Sequence, residues 1–200
     1  MIWVVLAILS GLGDATLYAF MKKAKELSAT FVIWVQYAFS IPYVLIALFF
    51  FYPAKIDPSV YWVALANGSL LILSMALLHR AFRASNLSLT IPLLSFTSVF
   101  LLITSPLMGQ QNPTSLHGYI GVILITVGTY ILNIHEIKKS IFGPFKALWT
   151  NVGPRCALGS ALLMSVMSNF FKMGVTKSNP FFFSTLMHCV VLVLLLPFVL

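Results

Sequence analysis

An all-α integral membrane protein, a multi-pass helical bundle of about seven spans, is the fold class that three features of this sequence predict. The first is composition: 60% of the residues are hydrophobic and only 8% are charged, whereas a soluble domain carries about 25% charged residues. A water-facing surface cannot be built from that stock. The second is continuity, with apolar runs long enough to cross a hydrocarbon core of about 30 Å, for which a helix needs roughly 20 residues. The third is the type of run. Lipid offers the backbone no hydrogen-bond partner, so only helices or closed barrels span it, and these runs are not the alternating strands of a barrel.

The spans fall at about 2–21, 30–52, 60–79, 87–108, 116–133, 156–173 and 181–200. The first lacks a preceding Lys or Arg, runs too long for a secretion signal and ends without a cleavage site, so it reads as a retained helix. It carries Asp14, the acid deepest inside any span. At 1.5 Å per residue Asp14 lies about 18 Å from Ile2 and about 12 Å from Lys22. An aspartate at that depth costs about 2.5–3.5 kcal/mol on insertion scales, so it should face a cavity or a partner. Ser10, Asp14 and Tyr18 recur every four residues and share one helix face, with Gly11 beside them. That stripe suits proton coupling or substrate contact; the alternative is a structural hydrogen bond to a neighbouring helix.

The second span has Gln36, Ser40 and Pro42 near one face, and the third aligns Asn67 with Ser74. In the fourth, Ser88, Ser95 and Ser98 follow the side of Pro92, whose missing N–H frees the carbonyl of Ser88. Each polar group alone suits interhelical hydrogen bonding; together they would converge on a polar chamber at mid-depth. Residues 109–117 form an uncharged hairpin, with Pro113 helping to stop one helix and start the next. Gly118, Gly121 and Gly128 suit close packing or an oligomer contact in the fifth span. The sixth offers Ser168 and Asn169, and the seventh His188, the one histidine away from the ends of a predicted span.

Charge sets the orientation. With loops assigned alternately to two sides, one side receives Lys22, Lys23, Lys25, Arg80, Arg83, Lys138, Lys139, Lys146 and Arg155, and the other only Lys55, Lys172 and Lys177. The basic side is normally cytoplasmic, which puts the N-terminus and the 109–117 hairpin outside and the chain in the cell (inner) membrane. Trp3, Tyr61, Trp62 and Tyr119 would form an outer aromatic belt, with Trp34 and Trp149 at the inner face. Lys22 and Lys172 read as side chains that snorkel to the interface, the alternative being contact with a substrate anion in the chamber. The net charge of +8 needs no nucleic acid to explain it, because basic loops facing anionic lipid suffice.

The longest connection, "IHEIKKSIFGPFKALWTNVGPR" over 134–155, holds Gly143-Pro144 and Gly153-Pro154. It divides the chain into a first five-helix unit (1–135), a cytoplasmic linker (136–154) and the start of a second unit (155–200). Part of the linker could lie along the inner surface as a short amphipathic segment. A shift of 150 residues lays "YAFMKKAKELSATF" on "SNFFKMGVTKSNPF", matching Ser10 with Ser160, Phe20 with Phe170, Lys22 with Lys172, Ser28 with Ser178 and Phe31 with Phe181. An odd number of helices per unit inverts the second copy, as in many secondary transporters.

The stretch "RAFRASNLSLTIPLLSFTSVFLLITSPLMGQ" followed by "GYIGVILITVGTYILN" resembles the end of the first repeat in EamA-type transporters of the drug/metabolite transporter superfamily. That family has a short basic link, an "LS…P" opening of the fourth helix, a "GE" step at its end and a glycine-paired fifth helix. Residues 121–133 are also similar to the last helix of the small multidrug resistance proteins. The resemblance covers the whole chain, most specifically residues 80–133. It implies two inverted five-helix repeats, ten helices in all, that move small metabolites. This chain departs from the pattern at Ser98, where the family commonly has Pro, and at Gly109-Gln110, where a glutamine replaces the acid. One unit takes about 150 residues, so by this likeness the chain holds one repeat and the start of its inverted partner. A homodimer or the missing second-repeat helices would complete the chamber.

The functional expectation is a secondary active transporter of small polar metabolites working by alternating access, with export the direction that the family resemblance implies. Its substrate-pathway or coupling candidates are Asp14, Ser10, Tyr18, Gln36, Asn67, Ser74, Ser95 and Asn169. The rival is a membrane scaffold or regulatory subunit that keeps the fold without transporting. No catalytic triad, paired carboxylates or metal-ligand spacing points to an enzyme, a cofactor or a metal. "GLGDAT" lacks the third glycine and the preceding strand of a nucleotide loop.

Overall fold

A computed structural model of the chain describes residues 2–24, 26–53, 55–110, 116–132 and 151–199. The helices are α1 (Ile2–Lys23), α2 (Ala29–Phe50), α3 (Val60–Ala84), α4 (Leu87–Leu94), α5 (Phe96–Leu107), α6 (Leu116–Leu132), α7 (Val152–Lys177) and α8 (Pro180–Val199). Among the described residues six stretches are long and apolar enough to cross a membrane, with α4 and α5 together supplying one of them. The α6 helix is apolar but shorter, at 17 residues. Most of the linker predicted over 136–154 and part of the 109–117 hairpin lie outside the described residues.

Local signals start and stop these helices. Ser28 caps α2 by accepting from the Phe31 amide at 3.2 Å, and Asn179 Oδ1 caps α8 by accepting from Phe182 at 2.7 Å; each satisfies an amide that the first helical turn leaves open. The α5 helix ends in a Schellman turn: Gln110 N donates to Ser105 O at 2.9 Å and Gly109 N to Pro106 O at 3.0 Å. Gly109 takes the left-handed conformation that this turn requires, with φ +68°.

Three span boundaries differ from the sequence expectation, each for a physical reason. The third helix runs on to Ala84 rather than 79, because Arg80 and Arg83 can stay helical while their heads reach out of the apolar layer. The sixth span begins at Val152, so Gly153-Pro154 lies inside the helix. Proline is tolerated in a first turn, where its missing N–H had no partner to lose. The expected single helix over 87–108 is two, joined at Ser95, whose amide turns back to Pro92 O at 3.1 Å. Pro92 withholds its own N–H and loosens the ladder there.

The core of the bundle is α3 lying antiparallel against α7. The pairing of α2 with α8 is also antiparallel, α4 and α5 pack along α7, and α6 packs against α4 and α5. Ala64, Leu71, Phe183, Met187 and Val191 fill the centre between α3 and α8. Residues 4–16 of α1 are exposed at every position, and only its last turns are packed, through Tyr18 and Met21 against Leu78 and Phe82.

Both ends of the bundle are tied by polar contacts. At one end Lys22 donates to the carbonyls of Phe82 and Ser85, covering the C-terminus of α3, and His79 Nε2 donates to Leu27 O at 3.1 Å. At the other, Lys177 pairs with Asp57 at 3.3 Å and reaches Ser59, while Asn179 Nδ2 donates to Phe51 O at 2.6 Å. Phe51 stacks on Phe181 there, ring centroids 4.5 Å apart.

Candidate functional site

A cavity of about 450 Å³ opens between α2, α3, α5, α7 and α8. Its apolar wall comes from Leu71, Phe171 and the three methionines Met164, Met167 and Met187. Its polar groups are Tyr37, Asn67, Thr97, Ser168, Ser184 and His188. Tyr37, Thr97, Met164 and His188 lie near the halfway points of their helices or span, which sets the cavity at mid-depth. None of the lining residues is an acid, a lysine or an arginine.

Two of these groups have unmet hydrogen-bonding capacity. Asn67 is 1% exposed, and its Oδ1 is buried without a partner among the described residues. Most buried polar atoms are paired, so such an oxygen calls for an explanation. On His188, Nδ1 lies 2.6 Å from the carbonyl of Ser184. A carbonyl can only accept, so Nδ1 carries a proton, and in the neutral imidazole Nε2 is then the acceptor. The ring is steadied by Tyr37, with centroids 4.9 Å apart.

Beside the cavity runs a polar seam between α5 and α7. Asn169 accepts from Ser105 Oγ at 2.8 Å and donates to Thr104 Oγ1 at 3.1 Å and to Ser165 O at 3.0 Å. Gln110 Nε2 donates to the Asn169 carbonyl at 2.8 Å, which fastens the end of the α5 turn to α7. This is where the glutamine matters: a carboxylate at position 110 could not donate. Further along α7, Ser160 meets Ser74 of α3, hydroxyl to hydroxyl at 2.9 Å.

The sequence-predicted residues divide accordingly. Asn67 lines the cavity. Ser74 and Asn169 are buried in interhelical hydrogen bonds next to it. Gln36 is half-buried on α2, its Oε1 without a partner, but it does not line the cavity. Ser95 is exposed at the break between α4 and α5. Ser10 and Asp14 are exposed on the unpacked part of α1, and Tyr18 packs edge-on to Phe82 at 5.7 Å; the structure does not bring this stripe to the cavity. Tyr37, Thr97, Ser184 and Met187 had not been singled out by sequence. The one available signal for His188 was its place inside a span.

No protein-family model, curated protein or solved structure matches the chain, so its likeness to EamA-type transporters rests on the residues quoted above.

Proposed function

We propose that the chain is a secondary active transporter of the EamA type that exports small polar metabolites by alternating access around the mid-depth cavity. The observation that carries this reading is the cavity itself: concave, walled by apolar side chains, with a few convergent polar groups, as small-molecule sites usually are. A midplane position is where secondary transporters bind their substrates.

The internal repeat supports the same reading. Subtracting 150 from the α7 positions that line the cavity carries Met164, Met167, Ser168 and Phe171 onto Asp14, Leu17, Tyr18 and Met21. In a two-repeat arrangement the α1 stripe would face the chamber from the other repeat, with Asp14 as the coupling acid. The N-terminus would lie outside, and the contacts at Lys177–Asp57 and at Lys22 would part in turn as the two ends open.

Counterflow into liposomes tests this. The purified chain, reconstituted and preloaded with unlabelled members of a polar-metabolite panel, should accumulate the matching labelled solute saturably, and Asp14→Asn should lose proton-gradient-driven flux while insertion stays intact. A well-folded reconstituted protein that moves nothing in the panel would overturn transport and favour the scaffold.

A further inference from the structure

We infer that the cavity takes an uncharged ligand with a flat apolar body that donates two hydrogen bonds, one to Asn67 and one to His188. The inference deepens the transport reading by naming the substrate class, and it rests on that reading only in calling the ligand a substrate.

Asn67 Oδ1 needs a donor, being 1% exposed and without a partner among the described residues. His188 presents a second acceptor, since Nδ1 is committed to the Ser184 carbonyl. Both line the same cavity. Two acceptors in one chamber select a ligand that brings two N–H or O–H groups. A ligand without them leaves the Asn67 oxygen unpaired, and sites built around hydrogen-bonding groups discriminate strongly on that account.

The absence of formal charge among the lining residues selects against ions. An unpaired charge in an apolar chamber loses more hydration than neutral dipoles return. The walls set the shape: Met164, Met167 and Met187 offer polarizable thioethers that favour aromatic contact, and Phe171 and Tyr37 add ring faces. A volume of about 450 Å³ admits a mono- or bicyclic body.

The test uses labelled benzamide, which is neutral and flat and donates two hydrogen bonds from one amide nitrogen, binding to the full chain in detergent micelles. Three competitors bracket it: N,N-dimethylbenzamide has no donor, benzoate is an anion and benzyltrimethylammonium is a cation. Saturable benzamide binding is expected, with each competitor about tenfold weaker or worse. Asn67→Leu and His188→Phe should each weaken benzamide about tenfold and leave N,N-dimethylbenzamide unchanged. Asn67→Leu should unfold no earlier than the parent, since it deletes an unpaired buried oxygen; should it fail to fold, His188→Phe and the competitor series still decide. Equal or tighter binding of either ion, absent benzamide binding, or wild-type affinity in both variants would overturn the inference. Counterflow separates the two readings. Flux of other solutes unaffected by Asn67→Leu would keep transport and discard this site, whereas the expected binding pattern without flux would keep the site and discard transport.

Discussion

Ser74 of α3 and Ser160 of α7 clasp each other back to back. Their hydroxyl oxygens are 2.9 Å apart, the Ser160 hydroxyl donates to the Ser74 carbonyl at 3.0 Å, and both side chains are fully buried. Lipid tails are as apolar as leucine, so burying apolar surface gives these helices little reason to associate; close packing and polar contacts must do so. Interhelical hydrogen bonds of this kind average about 0.6 kcal/mol and reach about 1.7. Ser74→Ala and Ser160→Ala should each destabilise within that range. The double variant should lose less than the sum, because the two residues share one interaction. Reversible unfolding in micelles would measure the coupling.

Gln110→Glu should cost about 1–3 kcal/mol, the range for stranding a buried polar group. It replaces an N–H that donates to the Asn169 carbonyl with an oxygen that cannot. Gln110→Met, similar in shape and without charge, should be the milder change. Thermal unfolding of the two variants side by side checks the order.

Gly109→Ala should cost about 1–2 kcal/mol through the backbone alone, the penalty for an L-residue in the left-handed region. Nothing lies within 4 Å of where its Cβ would sit, so crowding contributes nothing. An Asn at the same position, which visits this region more readily, should recover part of the loss in the same unfolding measurement.

Acid should weaken the Asp57–Lys177 end of the bundle. The Ser59 amide donating to the Asp57 carboxylate holds its pKa below the ordinary 3.8, with the Ser59 hydroxyl and Lys177 adding to the effect. A carboxyl with a lower pKa in the folded state stabilises fully above its unfolded value, and the contribution is lost as pH falls through the folded one. Wild type and Asp57→Asn should therefore differ by a constant margin from pH 7 down to about pH 5 and converge below about pH 4. The margin should be small, since both partners are substantially exposed. Unfolding curves recorded across that pH range give the answer.

The apolar runs were legible because a bilayer dictates length and hydrophobicity together. Helix ends were harder to read. Gly153-Pro154 reads as a breaker in water-soluble chains, yet in a first turn it costs nothing, and Arg80 and Arg83 looked like a loop while remaining helical. The break at Ser95 was foreshadowed by Pro92. The side of each helix that turns inward was the least legible feature. In lipid both faces are apolar, so Tyr37, Thr97 and Met187 carry no periodic signal to mark them as lining. Asn67 was recoverable because a buried amide must justify its place. Asp14 shows the converse: its depth could be counted from the sequence, but the direction it faces depends on what packs against α1.

The clasp between Ser74 and Ser160 joins positions 86 residues apart, and that spacing bears on biosynthesis. At about 5–20 residues per second, α3 leaves the ribosome roughly 4–17 seconds before the helix it must grip has been made. During that interval Ser74 sits in the insertion machinery or the bilayer with its lasting partner, Ser160, not yet synthesised. Until α7 arrives, the hydroxyl of Ser74 can bond only within its own helix or to whatever lies beside it.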